Sequence, residues 1–281
     1  MKKYPWQLTE IPKSKIKRFG EGGRRKKSVS KKKPLFSIIT VVYNGEKFLE
    51  KTITSVINQS CKDFEYIVID GGSTDKSLEI IKKYEKKIDY WVSEKDKGIY
   101  DAFNKGMIVS KGEFIGFINS DDIYKKDALN IISNYIEKNK VADFIFGSVK
   151  KHWGILHGYK PHKIKYSWGF YSSHSTGFFI KRKVAEKVGF YNIKYKYHAD
   201  YDYFYRLIVK NKMKGISTKK NEIVGIFRRG GFSSRISFWK KLKEDIRIRY
   251  DNGQNIFLLV LIFSNKFLRN IDQILKDNIK K

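Results

Sequence analysis

Three short apolar runs, each ending in polar side chains and separated by segments of helical spacing, constrain this chain more than any other feature. The runs cover residues 36–42, 64–69 and 114–118. Runs this short and sharply bounded read as buried strands. Between them, Phe48, Ile53, Val56 and Ile57 mark one helical face, and Leu78, Ile81, Tyr84 and Ile88 mark another. Alternating strand and helix implies βαβ units, a parallel sheet and right-handed crossovers. The three strand ends then fall on one edge of the sheet, where open α/β folds bind ligands. The expected fold class is α/β, a mostly parallel central sheet flanked by helices.

The strand ends carry the chemistry. The first runs into Tyr43-Asn44-Gly45, the second into Asp70-Gly71-Gly72-Ser73-Thr74-Asp75, and the third into Asn119-Ser120-Asp121-Asp122. Two adjacent carboxylates repel each other unless something positive joins them, and a hard divalent cation bridging to a phosphate does so. Oxygen ligands favour Mg²⁺ or Mn²⁺, and no Cys or His spacing suggests zinc. Solvated turns would carry the same residue types: Asp, Ser and Gly are turn formers, and Ser73 is a good helix cap. Asp70 is also suited to accept a hydrogen bond from a uracil ring N–H.

The order Thr40-Val41-Val42-Tyr43-Asn44, then 70–75, then Ser120-Asp121-Asp122 resembles the family 2 inverting glycosyltransferases of GT-A fold. Residues 93–106, Ser-Glu-Lys-Asp-Lys-Gly-Ile-Tyr-Asp-Ala-Phe-Asn-Lys-Gly, resemble a segment of the bacterial members that build surface polysaccharides. Residues 198–207 resemble the acceptor-side acidic motif of the same enzymes. The likeness covers roughly residues 35–235. It implies a GT-A-like domain, a nucleotide-sugar donor, UDP-linked, and a glycan or lipid-linked acceptor. It places the nucleoside at Thr40, Val42, Asn44, Asp70 and Ser73. Asp122 would be the metal ligand, and Asp121 would contact ribose or donor sugar. Asp96 and Lys97 would lie near phosphates or base, and Asp101 and Asn104, three apart on one helical face, in the donor site. Ala102 and Gly106 would let that helix pack closely. A charged loop and helix cap is the competing reading of the cluster Glu94, Asp96, Lys97, Asp101 and Asn104.

Aligning Tyr201-Asp202 with the family's Tyr-Asp gives Asp200 the general-base role and leaves Ala199 where many members carry Glu. Asp202, about 200° away on a helix, reads as a helix-start residue. His174 would contact acceptor or phosphate, or be structural. Arg228-Arg229-Gly230-Gly231-Phe232-Ser233 reads either as a lid over a diphosphate or as a basic surface loop.

The 281 residues suffice for one large domain or two small ones. The 15% aromatic content argues for a packed globule. The formal net charge of +30 draws the chain to polyanions: nucleic acid, an anionic membrane face or a phosphorylated substrate. The single cysteine, Cys61, excludes an internal disulfide and fits a reducing compartment, and Asn58-Gln59-Ser60 is discounted as a glycosylation site there. Residues 1–33 are expected to be a basic flexible tail or an electrostatic tether, without the apolar core of a signal peptide. Residues 34–235 are expected to be the catalytic domain, and 236–281 a helical segment. Its apolar run at 256–263 is too short to span a bilayer and reads as a core or dimer helix, or as an interfacial helix beside Lys240, Lys241, Lys243, Arg247, Arg249, Lys266 and Arg269. The expected location is cytoplasmic, with peripheral association at the inner membrane face. Non-enzymatic nucleic-acid binding or an assembly scaffold remain as alternatives, although the chain lacks a recognisable nucleic-acid-binding motif and keeps its metal and base carboxylates.

Overall fold

The computed structural model describes residues 6–13, 16–26, 33–166, 175–228 and 236–271. The first half alternates as expected: β1 (Arg18–Gly22), β2 (Phe36–Val42), α1 (Glu46–Ile57), β3 (Phe64–Asp70), α2 (Ser77–Lys83), β4 (Tyr90–Glu94), α3 (Ile99–Val109) and β5 (Phe114–Asn119). Then follow β6 (Ile123–Tyr124), α4 (Ala128–Lys138), β7 (Phe144–Phe146), β8 (Ser148–Lys151) and β9 (Gly154–Leu156). The remaining elements are β10 (Phe178–Lys181), α5 (Arg182–Val188), α6 (Ala199–Tyr205), β11 (Gly215–Ser217), β12 (Ile223–Ile226), α7 (Phe238–Asp251) and α8 (Ile256–Arg269).

The main sheet runs β1-β4-β3-β2-β5-β10-β7-β11. Its centre, β4-β3-β2-β5, is parallel, while β1 and β10 run antiparallel to their neighbours. The sheet is therefore mixed. The chain leaves β2 toward β3 and β4, then crosses back to place β5 on the other side of β2. That reversal creates a crevice at the carboxyl ends of the strands. The register aligns those ends: Val42 lies opposite Asp70, Asp70 opposite Ser93, and Val41 opposite Asn119.

Alternate residues of each strand feed two cores. Ile39, Val41, Ile67, Ile69 and Phe117 pack with Phe103 and Met107 of α3. Ile38, Val42, Tyr66, Val68 and Ile118 pack with Leu49, Ile53 and Val56 of α1, Ile81 of α2 and Ile132 of α4. The close approach expected at Gly106 is present, since a Cβ there would lie 2.5 Å from Ile39 Cγ2. A smaller sheet, β6-β12-β8-β9, covers the end of β5.

The expectation of a flexible tail over residues 1–33 fails for residues 16–26. β1 is the edge strand of the main sheet, antiparallel to β4. Charge anchors it: Arg18 Nε donates to Glu94 Oε2 at 2.9 Å, Arg24 pairs with Asp89, and Arg25 pairs with the buried Glu65. Further upstream, Trp6 stacks on Phe190 with centroids 4.8 Å apart. Basic residues that read as solvated charge are ion-paired to acids 40 or more positions away.

α7 and α8 form a helical hairpin at the C-terminal end, joined to the domain through α6. No helix among the described residues is long and apolar enough to cross a membrane.

Candidate functional site

The crevice is built from loops that hold one another. Asn44, in a left-handed conformation (φ 49°), donates its backbone N–H to Ser73 Oγ at 2.8 Å and accepts from Thr74 N at 2.8 Å. Asn tolerates that conformation better than most residues. Glu46 N bonds to Asp75 Oδ2 at 2.9 Å. The first and second strand ends therefore form one surface.

Asp70 lies beneath that surface. It is fully buried, and its carboxylate accepts from Ser73 N at 3.1 Å, from Ser73 Oγ, and from Ser93 Oγ at 2.5 Å. These bonds realise the tight-turn reading. The carboxylate that faces the edge above is Asp96, half-buried and packed so closely over Gly71 that a Cβ on that glycine would collide with it. Burial, more than neighbouring Asp101 and Asp70, pushes the Asp96 carboxyl up. Gly98 N–H, at φ 109°, donates to Asp96 Oδ1 at 2.8 Å.

Three of the expected donor-site residues are engaged by the protein itself. Thr40 is wholly buried two residues short of the strand end, bonded to Tyr66 Oη at 2.9 Å, so its hydroxyl does not frame a nucleoside. Asn104 clasps the Tyr191 backbone, donating to its carbonyl at 2.9 Å and accepting its N–H at 2.8 Å. A donor contact by this amide would have to break both bonds. Asp101 accepts the backbone N–H of Lys97 at 3.0 Å, shaping the loop before α3. Lys97 itself is exposed beside the edge, and Val42 ends β2 with its carbonyl accepting Gly71 N–H at 2.9 Å. Glu94 is taken by Arg18 and Lys105.

The third strand end carries the acidic pair. Thr52 of α1 holds its backbone, donating to the carbonyls of Ser120 and Asp122 at 2.8 and 2.7 Å. Asp122 is fully buried; its Oδ2 accepts from Thr176 Oγ1 at 2.5 Å and Asn119 Nδ2 at 3.3 Å, and its Oδ1 from Arg228 N at 3.2 Å. Burial first and Asp121 second push its carboxyl up to about 7. Asp121 is half-buried and also shifted upward by burial, with Arg228 opposing. The Arg228 guanidinium lies over the Phe48 ring. Lys151, lowered by burial, adds a second positive charge facing Asp122. Thr52, Lys151 and Thr176 escaped sequence reasoning, having no pattern that marks them. His174 and Arg229–Ser233 of the expected lid lie outside the described residues.

The acidic pair fits a hard cation. Its donor set is all oxygen, its charge is undercompensated, and Asn119 Oδ1 beside it is buried without a hydrogen-bond partner. No group of three or more His, Cys, Asp or Glu side chains able to hold a metal occurs among the described residues. The protein would supply part of a coordination shell, leaving the rest to phosphate and water.

Asp200 stands at the start of α6. Its Oδ1 accepts from Tyr201 N at 2.9 Å and from Tyr100 Oη at 3.2 Å. Burial raises its carboxyl above the ordinary range, with His198 the main opposing charge. Tyr100 lies in the first turn of α3, directly after the Asp96–Gly98 loop, so the bond ties Asp200 to the helix that follows that loop. Asp202 turns away, buried, and pairs with Arg206 Nε at 2.9 Å and Asn252 Nδ2 at 2.9 Å. It lies in the first turn of α6, as expected of a helix-start residue, and its charge is met by the ion pair to Arg206 four positions on. Ala199 is buried with Tyr195 and Ile248, a packed position with little use for a carboxylate. Glu244 of α7 braces the segment before α6, accepting the backbone N–H groups of Lys196, Tyr197 and His198 at 3.0, 2.7 and 2.8 Å.

The model of the family described as Glycosyl transferase family 2 matches residues 37–204. Over 193 residues the chain is 32% identical to an uncharacterized glycosyltransferase of Methanocaldococcus jannaschii, covering 64% of this chain and 66% of that protein. It is 28% identical over 232 residues to a PGL/p-HBAD biosynthesis glycosyltransferase of Mycobacterium bovis, covering 76% and 86%. Among solved structures, S. aureus TarS 1–349 in complex with UDP-GlcNAc is similar at 19% identity and TM-score 0.63, over 84% of this chain and 72% of that one. The mannosyltransferase PcManGT from Pyrobaculum calidifontis, in complex with GDP-Man and Mn²⁺, is similar at 14% identity and TM-score 0.59, over 85% and 70%. These last two likenesses concern the fold.

Proposed function

The chain belongs to glycosyl transferase family 2, and from that premise we propose that it moves a sugar, with inversion, from a UDP-linked donor to a hydroxyl of a lipid-linked or polysaccharide acceptor. The observation that carries this reading is the acidic pair just beyond β5, with Asp122 buried and its carboxyl pushed up, supported by Asp200 bonded to Tyr100 of the helix after the Asp96–Gly98 loop. Asp121 and Asp122 follow β5, while Asp200 is tied through Tyr100 to the first turn of α3. The UDP-GlcNAc and GDP-Man bound by the two structural neighbours support a nucleotide-sugar donor.

Each group has a task set by its surroundings. Asp96, above Gly71, is placed to accept a ring N–H of the base, and the exposed Asn44 and Lys97 border that position. Asp121 faces ribose or donor sugar. Asp122 is the ligand for Mg²⁺ or Mn²⁺, which when bound supplies positive charge where the leaving diphosphate develops negative charge. Arg228 and Lys151 add fixed positive charge on the same side. Asp200 takes the proton of the acceptor hydroxyl as its oxygen attacks the anomeric carbon opposite the diphosphate. Its raised pKa brings it closer to the operating pH, where a general base is most effective. The reading places the enzyme on the cytoplasmic side of a membrane, in polysaccharide assembly.

Thermal shift against a panel of nucleotide sugars, with and without Mn²⁺, followed by nucleotide release, tests this reading. A UDP-sugar should stabilise the protein most, and more with metal. Indifference to every nucleotide sugar would contradict it.

A further inference from the structure

α8 leaves a wide apolar face bare. Phe257 is 81% exposed, Leu261 66%, Leu268 65%, Ile256 64% and Val260 58%. At 100° per residue these positions share an arc of about 140°. The opposite side carries Leu259 and Ile262, buried toward the domain, and Lys266, paired with Asp245 of α7 at 2.8 Å. The sequence from 256 to 263 has no charged residue. The helix therefore has its inner side occupied and its outer side greasy, the reverse of a solvated surface helix.

The neighbouring helix supplies the border. On α7, Trp239, Lys243, Arg247 and Tyr250 recur at spacings of three to four and share one face, with Lys240 beside them. Trp239 and Tyr250 are 41% and 64% exposed, and Lys240, Lys243 and Arg247 are exposed as well. Trp239 meets Phe267 of α8 at 5.9 Å, and Phe267 stacks on Phe263, so the basic aromatic stripe and the bare apolar face adjoin along one seam. Tryptophan and tyrosine with lysine and arginine beside an apolar surface is the chemistry of a membrane interface.

We propose that the α7–α8 hairpin lies in the surface of an anionic bilayer, α8 entering the acyl boundary and the α7 cations meeting lipid phosphates. Charge decides between this occupant and a second copy of the chain. A symmetric dimer through this face would bring the same basic stripe against itself, in a chain of net charge +30. An anionic lipid surface attracts what a second copy repels. At 14 residues α8 is about 21 Å long, short of the bilayer core, so it lies in the surface and does not cross. The same hairpin grips the base-bearing segment through Glu244 and Asn252. The bilayer would thus lie on the acceptor side, which fits a lipid-linked acceptor; that fit rests on the function proposed above, whereas the binding does not.

The test is co-sedimentation of the full chain with vesicles, without donor. Phosphatidylcholine–phosphatidylglycerol vesicles should bind the protein at low salt, and pure phosphatidylcholine should bind it far less. Phe257→Glu with Leu261→Glu should weaken binding about tenfold or more by placing charge in the acyl boundary. Lys243→Glu with Arg247→Glu should abolish the preference for the anionic lipid. Donor-induced thermal shift should be unchanged in both double variants, separating this result from the transferase reading. The proposal fails if wild type ignores anionic vesicles at low salt, or if the α8 variant binds as wild type does. It fails equally if the chain forms dimers that the α8 variant breaks while vesicles go unbound.

Discussion

The Tyr100 hydroxyl donates to Asp200 Oδ1 at 3.2 Å, joining the helix that follows the Asp96–Gly98 loop to the helix that carries the proposed base. The two residues are 100 positions apart. The bond stabilises the carboxylate anion and so opposes the upward push of burial.

Tyr100→Phe removes that opposition. The Asp200 pKa should rise further, moving the acid limb of the pH–rate profile to higher pH. Turnover at neutral pH should fall by about tenfold to a hundredfold, the scale of one hydrogen bond to a charged group. An unshifted acid limb would mean that Asp200 does not titrate in the rate-limiting step.

Asp122 sets a pH dependence of its own. Its carboxyl stands at about 7 in the folded protein against an ordinary 3.8. The folded state therefore holds a proton that the unfolded state releases. The protonated carboxyl lets ligand-free protein keep its full stability below pH ~4, and that stability is lost as pH rises toward 7 and above. At about 1.4 kcal/mol per tenfold in the proton equilibrium, the loss amounts to as much as ~4 kcal/mol. Asp122→Asn should flatten this decline in denaturant unfolding measured from pH 5 to 8. Metal-assisted donor binding needs the anion, so in wild type it should strengthen with rising pH through the same range, and in the variant it should disappear. Chelator should mimic the variant. Normal transfer by Asp122→Asn, or full activity in excess chelator, would remove the metal from this site.

Thr40 separates a structural hydroxyl from a binding one. Thr40→Val leaves the buried Tyr66 hydroxyl without its partner and should cost about 1–3 kcal/mol in denaturant unfolding. Donor affinity by calorimetry should change less than about twofold. A large loss of affinity with unchanged stability would return Thr40 to the donor site.

The legible parts of the fold were those encoded locally. The apolar stretches of β2, β3 and β5 end where side chains turn polar, and the structure ends those strands within a residue of the same points. The acidic pair at 121–122 could be read because an apolar strand delivers it. β1 could not, because an edge strand of Arg-Phe-Gly-Glu-Gly has no apolar alternation, and its partner β4 lies some 70 residues on. The insertion of β10 between β5 and β7 and the small second sheet depend on pairing between distant residues, which periodicity does not report. Within the site, the internal bonds of Asn104 and Thr40 were not legible for one reason. Polar side chains near a ligand edge also satisfy buried backbone and hydroxyl groups, and sequence does not distinguish the two uses. Thr176 and Arg228 reach Asp122 from 54 and 106 residues away.

Turnover and donor affinity measured side by side for Asp200→Asn and Asp202→Asn test the assignment of the base most directly. Asparagine keeps the size and polarity of Asp200 but cannot take a proton, so turnover should fall by about 10²–10⁴ with donor and metal affinity nearly unchanged. Asp202→Asn weakens the ion pair to Arg206 and should lower stability while leaving turnover within about threefold of wild type, since its carboxylate is turned away from the edge. An active Asp200→Asn beside an inactive, folded Asp202→Asn would show that the acidic motif acts in the other register, and full activity in both would place the base elsewhere.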